Sequence, residues 1–292
     1  KKIWDNRTAI KVAWLLALYP SLVLYSVLTL REVYSSFFLL VAMYGIFNWV
    51  KNNSYNSVYL TMFGFIGATF FHGALILGGI VFLMIILLNS LKKISKIFTS
   101  LHFYPQAFFI TILAAVMLQF YFLDKYYIPK IGYFSDISFG YFINELKGRM
   151  IGGASYGEWA MISTVEEFYY KLPLRVLYFL FAPFPWDIQK PYHLIGMFDG
   201  LLYLFLFILI IRNISTILSD PFLRIMLIIL VFYFLAFGFG VSNFGAGLRH
   251  RTKFTAEIII LAGPFLPMLV ISEKKKLQKI FKINFRNSKK TK

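Results

Sequence analysis

No cysteine occurs in the chain, which removes disulfides and thiolate metal sites from consideration. Acidic residues are scarce, 13 against 30 lysines and arginines, and charges of both signs make up only 15% of the sequence. Several chemical signatures are missing as well: there is no Walker motif, no dinucleotide-binding glycine fingerprint and no HExxH. Without a DxD carboxylate pair, a metal-held nucleotide sugar is not supported, and neither a metal nor a cofactor is expected. Alternating ten-residue strands are also lacking, which argues against a β-barrel.

What fills the sequence instead is apolar. Over 292 residues, 59% are hydrophobic and 20% aromatic, with a mean hydropathy of +0.69, far from the composition of a soluble domain. Runs such as Ile225 to Val241 and Leu201 to Ile211 carry no charge at all, and about 20 mostly apolar residues suffice to cross the hydrocarbon core as a helix. The expected fold is therefore an all-α, polytopic bundle in a single integral membrane domain, residues 1–292. Because the sequence opens on Lys1, an N-terminal piece is expected to be missing or processed. The net charge of +17 would suggest nucleic acid in a soluble protein. Here 9 of the 30 basic residues lie after Ser272, so residues 273–292 read as a cytoplasmic tail against anionic membrane lipid, with no nucleic-acid partner.

Eight spans are expected: Ala9–Leu30, Val33–Val50, Tyr59–Phe71, Gly73–Leu88, Pro105–Leu123, His193–Ile211, Ile225–Val241 and Thr255–Ser272. A break at His72–Gly73 divides an apolar stretch too long for one crossing. With that break the N-terminal arm, "KKISK" and the basic tail all become cytoplasmic, as the positive-inside tendency requires. Both termini then lie inside a bacterial cytoplasmic membrane. Residues 124–172 form one long external loop, and the short run Val176–Pro183 enters and returns or lies along the interface.

This topology collects the polar chemistry on the outer face. In "FGAGLRHRTKF", Arg249 and Arg251 stand two apart, so an extended segment would point both guanidinium groups one way, with His250 opposite. Two such forks suit phosphate oxygens, Lys253 adds a third charge, and the glycines ahead would let backbone approach a ligand. A cationic cluster on the outer side is read as a ligand site rather than as headgroup snorkelling. Arg31 and Glu32 close the first span, and Glu32 is either a general base or a partner for the Arg249 cluster. Asp199 and Glu257 lie within spans, where an unpaired carboxylate is costly, so each is a functional candidate, Asp199 as a catalytic residue; Lys253, four residues before Glu257, is a candidate local partner. His72 is a helix-break residue or a ligand. Trp186 in "APFPWD" is an interfacial anchor or a wall for a sugar ring. Glu166 and Glu167 read as a solvated loop face.

Together, "YPSLVLYSVLTLREVYSSFFLLVAMYGIFNWV", "LYFLFAPFPWD" and "SNFGAGLRHRTKF" resemble bacterial O-antigen and oligosaccharide repeat-unit polymerases. They are similar also to C-type, polyprenyl-phosphate-dependent glycosyltransferases. The resemblance implies an inner-membrane enzyme of cell-surface polysaccharide biosynthesis that takes polyprenyl-(pyro)phosphate-linked sugar at the periplasmic or external face, alongside other envelope assembly proteins. It implies phosphate-binding roles for Arg31, Arg249 and Arg251, a looser one for Arg149, and an acid or base role for His250; Glu32 fits an expected acidic position. A flippase or polysaccharide transporter would use the same cations without chemistry.

Overall fold

The computed structural model describes residues 4–28, 30–98, 139–148, 154–191 and 193–267. The expected span Pro105–Leu123, Arg149 and the tail 273–292 lie outside these residues, as do 124–138 and 149–153 of the expected external loop.

The architecture is helical, with no strand among the described residues. The first expected span is two helices, α1 (Asn6–Leu18) and α2 (Pro20–Val27), bent by 52°. Proline at the first position of α2 has no N–H to continue the ladder, yet its fixed φ suits a helix start. Helix α3 (Arg31–Asn52) packs along α4 (Tyr55–Phe71). Small residues set that distance: a side chain added at Gly64 would strike the backbone of Ala42. The chain breaks at His72, whose extended backbone and a short 3-10 turn, Gly73–Leu75, lead into α5 (Ile76–Phe98).

Helix α6 spans Phe139–Gly148, and α7 spans Val165–Phe181. The latter overturns the expected short run at Val176 and the solvated loop around Glu166. Thr164 accepts the Glu167 N–H and Glu167 accepts the Ser163 N–H at 2.6 Å, two side-chain bonds that start the helix early. Helices α8 (His193–Arg212), α9 (Ile214–Ser219) and α10 (Pro221–Gly240) follow, then α11 (Phe244–Arg251) and α12 (Thr255–Ala262). Three helices, α3, α8 and α10, are long and apolar enough to cross a membrane, and a fourth span results if the bent α1–α2 pair is one crossing. The membrane class of the fold therefore stands, in this coarser form.

Helix α10 is the centre of the bundle, touching α7, α5, α3 and α12. Met226, Ile229, Leu230 and Tyr233 are fully buried along it, and the Tyr233 hydroxyl donates to the Leu75 carbonyl at 2.7 Å. Past its end, a short antiparallel contact pairs Ser155 with Asn243, and the Tyr156 N–H donates to the Ser242 carbonyl at 2.9 Å. That contact fastens the segment ahead of α7 beside the start of α11.

Candidate functional site: a cationic cleft beside two buried arginines

The cationic stretch is not extended. Asn243 accepts the N–H groups of Gly245 and Ala246 on its side-chain oxygen, at 2.8 and 3.3 Å, and so caps α11. The expected flexible glycine segment becomes the first turn of a helix. At 100° per residue, Arg249 and Arg251 point to nearly opposite faces, so they do not form one clamp.

Arg249 faces a polar cleft of about 530 Å³ lined by Tyr25, Ser242, Asn243, Gly245 and His250 among others. It remains 37% exposed, and its Nε lies 3.1 Å from Oε1 of Glu32, whose side chain is buried in the first turn of α3. The same oxygen meets Lys253 Nζ at 3.8 Å and Arg31 Nε at 3.9 Å. Three cations thus surround one carboxylate, leaving two positive charges in excess. None of these contacts has hydrogen-bond geometry, so both Glu32 oxygens and Arg249 Nε keep unmet capacity. Lys253, fully buried, instead lies 2.6 Å from His250 Nδ1; as an ammonium it donates there, the arrangement that puts the ring proton on Nε2. The His72 ring sits edge-on to His250 at 5.0 Å, with its Nδ1 unbonded. Burial and the ammonium of Lys253 push both imidazoles well below their ordinary value, His250 to about 2 and His72 to about 3. Both are neutral rings at physiological pH.

Arg251 turns the other way and is fully buried. Its Nε and Nη2 reach Asp199 Oδ2 at 3.1 and 3.0 Å, Nη1 donates to the carbonyls of Leu180 and Ala182 at 2.8 and 2.9 Å, and Nη2 donates to Gly196 at 3.2 Å. The guanidinium therefore closes the carbonyl end of α7 and neutralises Asp199. Gly200 makes room for this arrangement, because a side chain there would collide with the Phe181 carbonyl. Two sequence expectations change with it. Arg251 has no face open to a ligand, and Asp199 serves as its counter-ion instead of standing as a free acid or base.

Arg175 was not legible as a functional residue and does the same task for α10. It is fully buried, donating to the carbonyls of Gly238, Phe239 and Val241 at 3.3, 2.7 and 2.8 Å and to the Ser242 hydroxyl at 3.1 Å. Its signal in the sequence is a lone arginine inside an apolar helix that lacks a carboxylate one turn away. By holding Ser242 it also fixes the floor of the cleft.

Two other candidates, Glu257 and Trp186, lie outside this cluster. Glu257 does not pair with Lys253; it is fully buried with both oxygens unpartnered. Trp186 lies away from the cleft on the turn Pro185–Asp187, 72% exposed, stacked on Phe184 at 4.9 Å and donating its N–H to Tyr178 at 2.9 Å. Among the described residues, no group of acidic, histidine or cysteine side chains is arranged to hold a metal.

This geometry offers an anion two partly exposed guanidinium groups, Arg249 and Arg31, and a neutral imidazole N–H, with buried positive charge behind them. It offers no strong base: Glu32 is hemmed by cations, His250 Nδ1 faces the Lys253 amine, and the His72 ring, whose Nδ1 is unbonded, is held by burial at about 3. No family model matches the sequence, and no curated protein or solved structure matches it at a significant level.

Proposed function

We propose that the chain is a membrane glycosyltransferase or polymerase acting on polyprenyl-(pyro)phosphate-linked oligosaccharide in cell-surface polysaccharide assembly, with the cleft beside α11 holding the phosphate. The observation that carries this reading is the excess of positive charge around Glu32, with Arg249 on the cleft wall and only partly exposed. Arg249 and Arg31 neutralise the phosphate as it leaves, the step that fixed cations in a water-poor site accelerate most. His250 donates from Nε2 to the same oxygens. Glu32 holds the three cations apart and in register, a positioning role. The acceptor hydroxyl loses its proton to a group outside this cluster or to water.

The lack of a poised base favours a second reading, a lipid-linked-oligosaccharide flippase that binds phosphate without bond cleavage. Deletion in the host separates the two. Single lipid-linked units accumulating on the outer face, with loss of long polymer, fit the transferase; accumulation on the inner face fits the flippase; unchanged polymer and no accumulation sink both. The same reading requires the cleft to face outward. A cysteine at exposed Gly245 then reacts with an impermeant thiol reagent from outside, and one at Lys276 does not. Labelling in the reverse pattern turns the cleft toward the cytoplasm and defeats the proposal.

A further inference from the structure

At the opposite end of the α1–α2 pair from Tyr25, a second concavity of about 650 Å³ lies between α1 and α8, within the usual size of ligand pockets. One wall is a single stripe of α1: Arg7, Ile10, Lys11, Trp14, Leu15 and Leu18, spaced as residues that share a helix face. The facing wall is Leu202, Phe205 and Leu206 of α8. Both cations lie in the first half of the stripe, and beyond them the lining is apolar until Tyr19 closes the end.

The dimensions and the charge specify an occupant. From Arg7 to Leu18 the helix rises about 16 Å, close to the roughly 15 Å that one leaflet gives to hydrocarbon. The groove ends where Pro20 bends the chain by 52°. At the mouth, Arg7 is exposed and forms no ion pair with a described residue, while Lys11 donates one proton to the Leu266 carbonyl at 3.0 Å and keeps two. The one nearby acid, Asp5, accepts the Thr8 N–H at 3.0 Å as the cap of α1. Two cations over a leaflet-long apolar slot match a phosphate head with an acyl chain beneath it. They offer nothing for the amine of a zwitterionic head.

We propose that this groove is a binding site for an anionic phospholipid of one leaflet, its phosphate on Arg7 and Lys11 and one acyl chain along Trp14, Leu18 and Phe205. The site is distinct from the cleft beside α11 and independent of its assignment. Trp14 provides the probe, because it lines the groove and is 64% exposed. The full chain is reconstituted in phosphatidylcholine vesicles containing dibrominated phosphatidylglycerol or, at equal mole fraction, dibrominated phosphatidylcholine. Trp14 emission is taken as the difference between the protein and its Trp14→Phe variant. The brominated anionic lipid is expected to quench at a mole fraction roughly fivefold lower or more, since a single basic residue near an anionic surface contributes a factor of about five. Combined Arg7→Ala and Lys11→Ala substitutions remove that preference, whereas Arg7→Lys with Lys11→Arg keeps it. Equal quenching by the two lipids overturns the proposal, as does a preference that survives the alanine pair. Protection of Trp14 from both lipids overturns it too, by showing the groove filled by the protein's own chain.

Discussion

Arg249 and Arg251 are separated by a single residue and live in opposite regimes. Arg251 is fully buried, and its guanidinium is used up by one carboxylate and three carbonyls. Arg249 is 37% exposed, has one imperfect ion pair, and keeps donors for something that is not protein. The lesson is that a cationic motif is not a functional unit by spelling. Little more than half a turn of helix divides it into a residue that holds the bundle together and a residue that remains available.

The largest effect should come from the buried side of this contrast. Arg251→Met leaves Asp199 in the interior without its counter-ion and strips two carbonyls at the end of α7, a loss of about 3–5 kcal/mol. Protein level and thermal midpoint in detergent should collapse, and Asp199→Asn should lower both less. If Arg251→Met accumulates to normal level with a normal midpoint, the structural assignment of Arg251 is wrong.

The exposed side predicts the converse. Arg249→Lys keeps charge but loses the planar fork, so it should reduce polymer output about tenfold, or about 1.4 kcal/mol, at unchanged protein level and midpoint. Full polymer length in that variant would leave Arg249 as an interfacial anchor. Arg31→Lys should weaken output in the same direction but less, because Arg31 is more exposed and stands farther from Glu32.

Glu257 sharpens the contrast from a third position. Its buried carboxyl has no hydrogen-bond partner among the described residues, so Glu257→Gln, which keeps the shape and cannot ionise, should raise the thermal midpoint. A lowered midpoint would reveal a partner for the carboxylate.

The smallest effect concerns pH. Burial lowers the Lys253 ammonium to about 7, with Glu32 opposing and Arg249 and Arg31 adding to the drop. Raising pH through 7 therefore removes one positive charge from behind the cleft, and binding of a phosphate-bearing ligand should weaken by a few-fold and then level off. Folding stability moves the other way: between about 7 and the ordinary lysine value of 10.5 the unfolded chain binds the extra proton, so stability rises with pH over that window. Lys253→Met should flatten both curves. Binding that is equally pH-dependent in the variant would exclude Lys253 as the titrating group.

The sequence made some of this legible and hid the rest for physical reasons. Long uncharged runs revealed α8 and α10, since burial in lipid demands that composition, and the His72–Gly73 break followed from length together with the placement of the basic residues. The cost of an unpaired carboxylate flagged Asp199, but the partner lies 52 residues away, and no local spacing connects them. Glycines around Ala246 suggested a loop, whereas the Asn243 cap decides for a helix, and with it the direction of each arginine. Arg175 went unread because its partners are backbone carbonyls, which every residue carries.

The reach of Arg251 also fixes an order of events in biosynthesis. The Leu180 carbonyl that it closes is made 71 residues earlier, several seconds of translation at about 5–20 residues per second. For the last 52 residues of that interval Asp199 is already made with its charge unanswered. A nascent chain halted before residue 251 would thus display an uncompensated acid inside the membrane, a mark by which quality-control proteases can tell an unfinished copy from a complete one. Pulse-labelled chains truncated before and after residue 251 should differ sharply in lifetime, and equal lifetimes would show that Asp199 is tolerated unpaired.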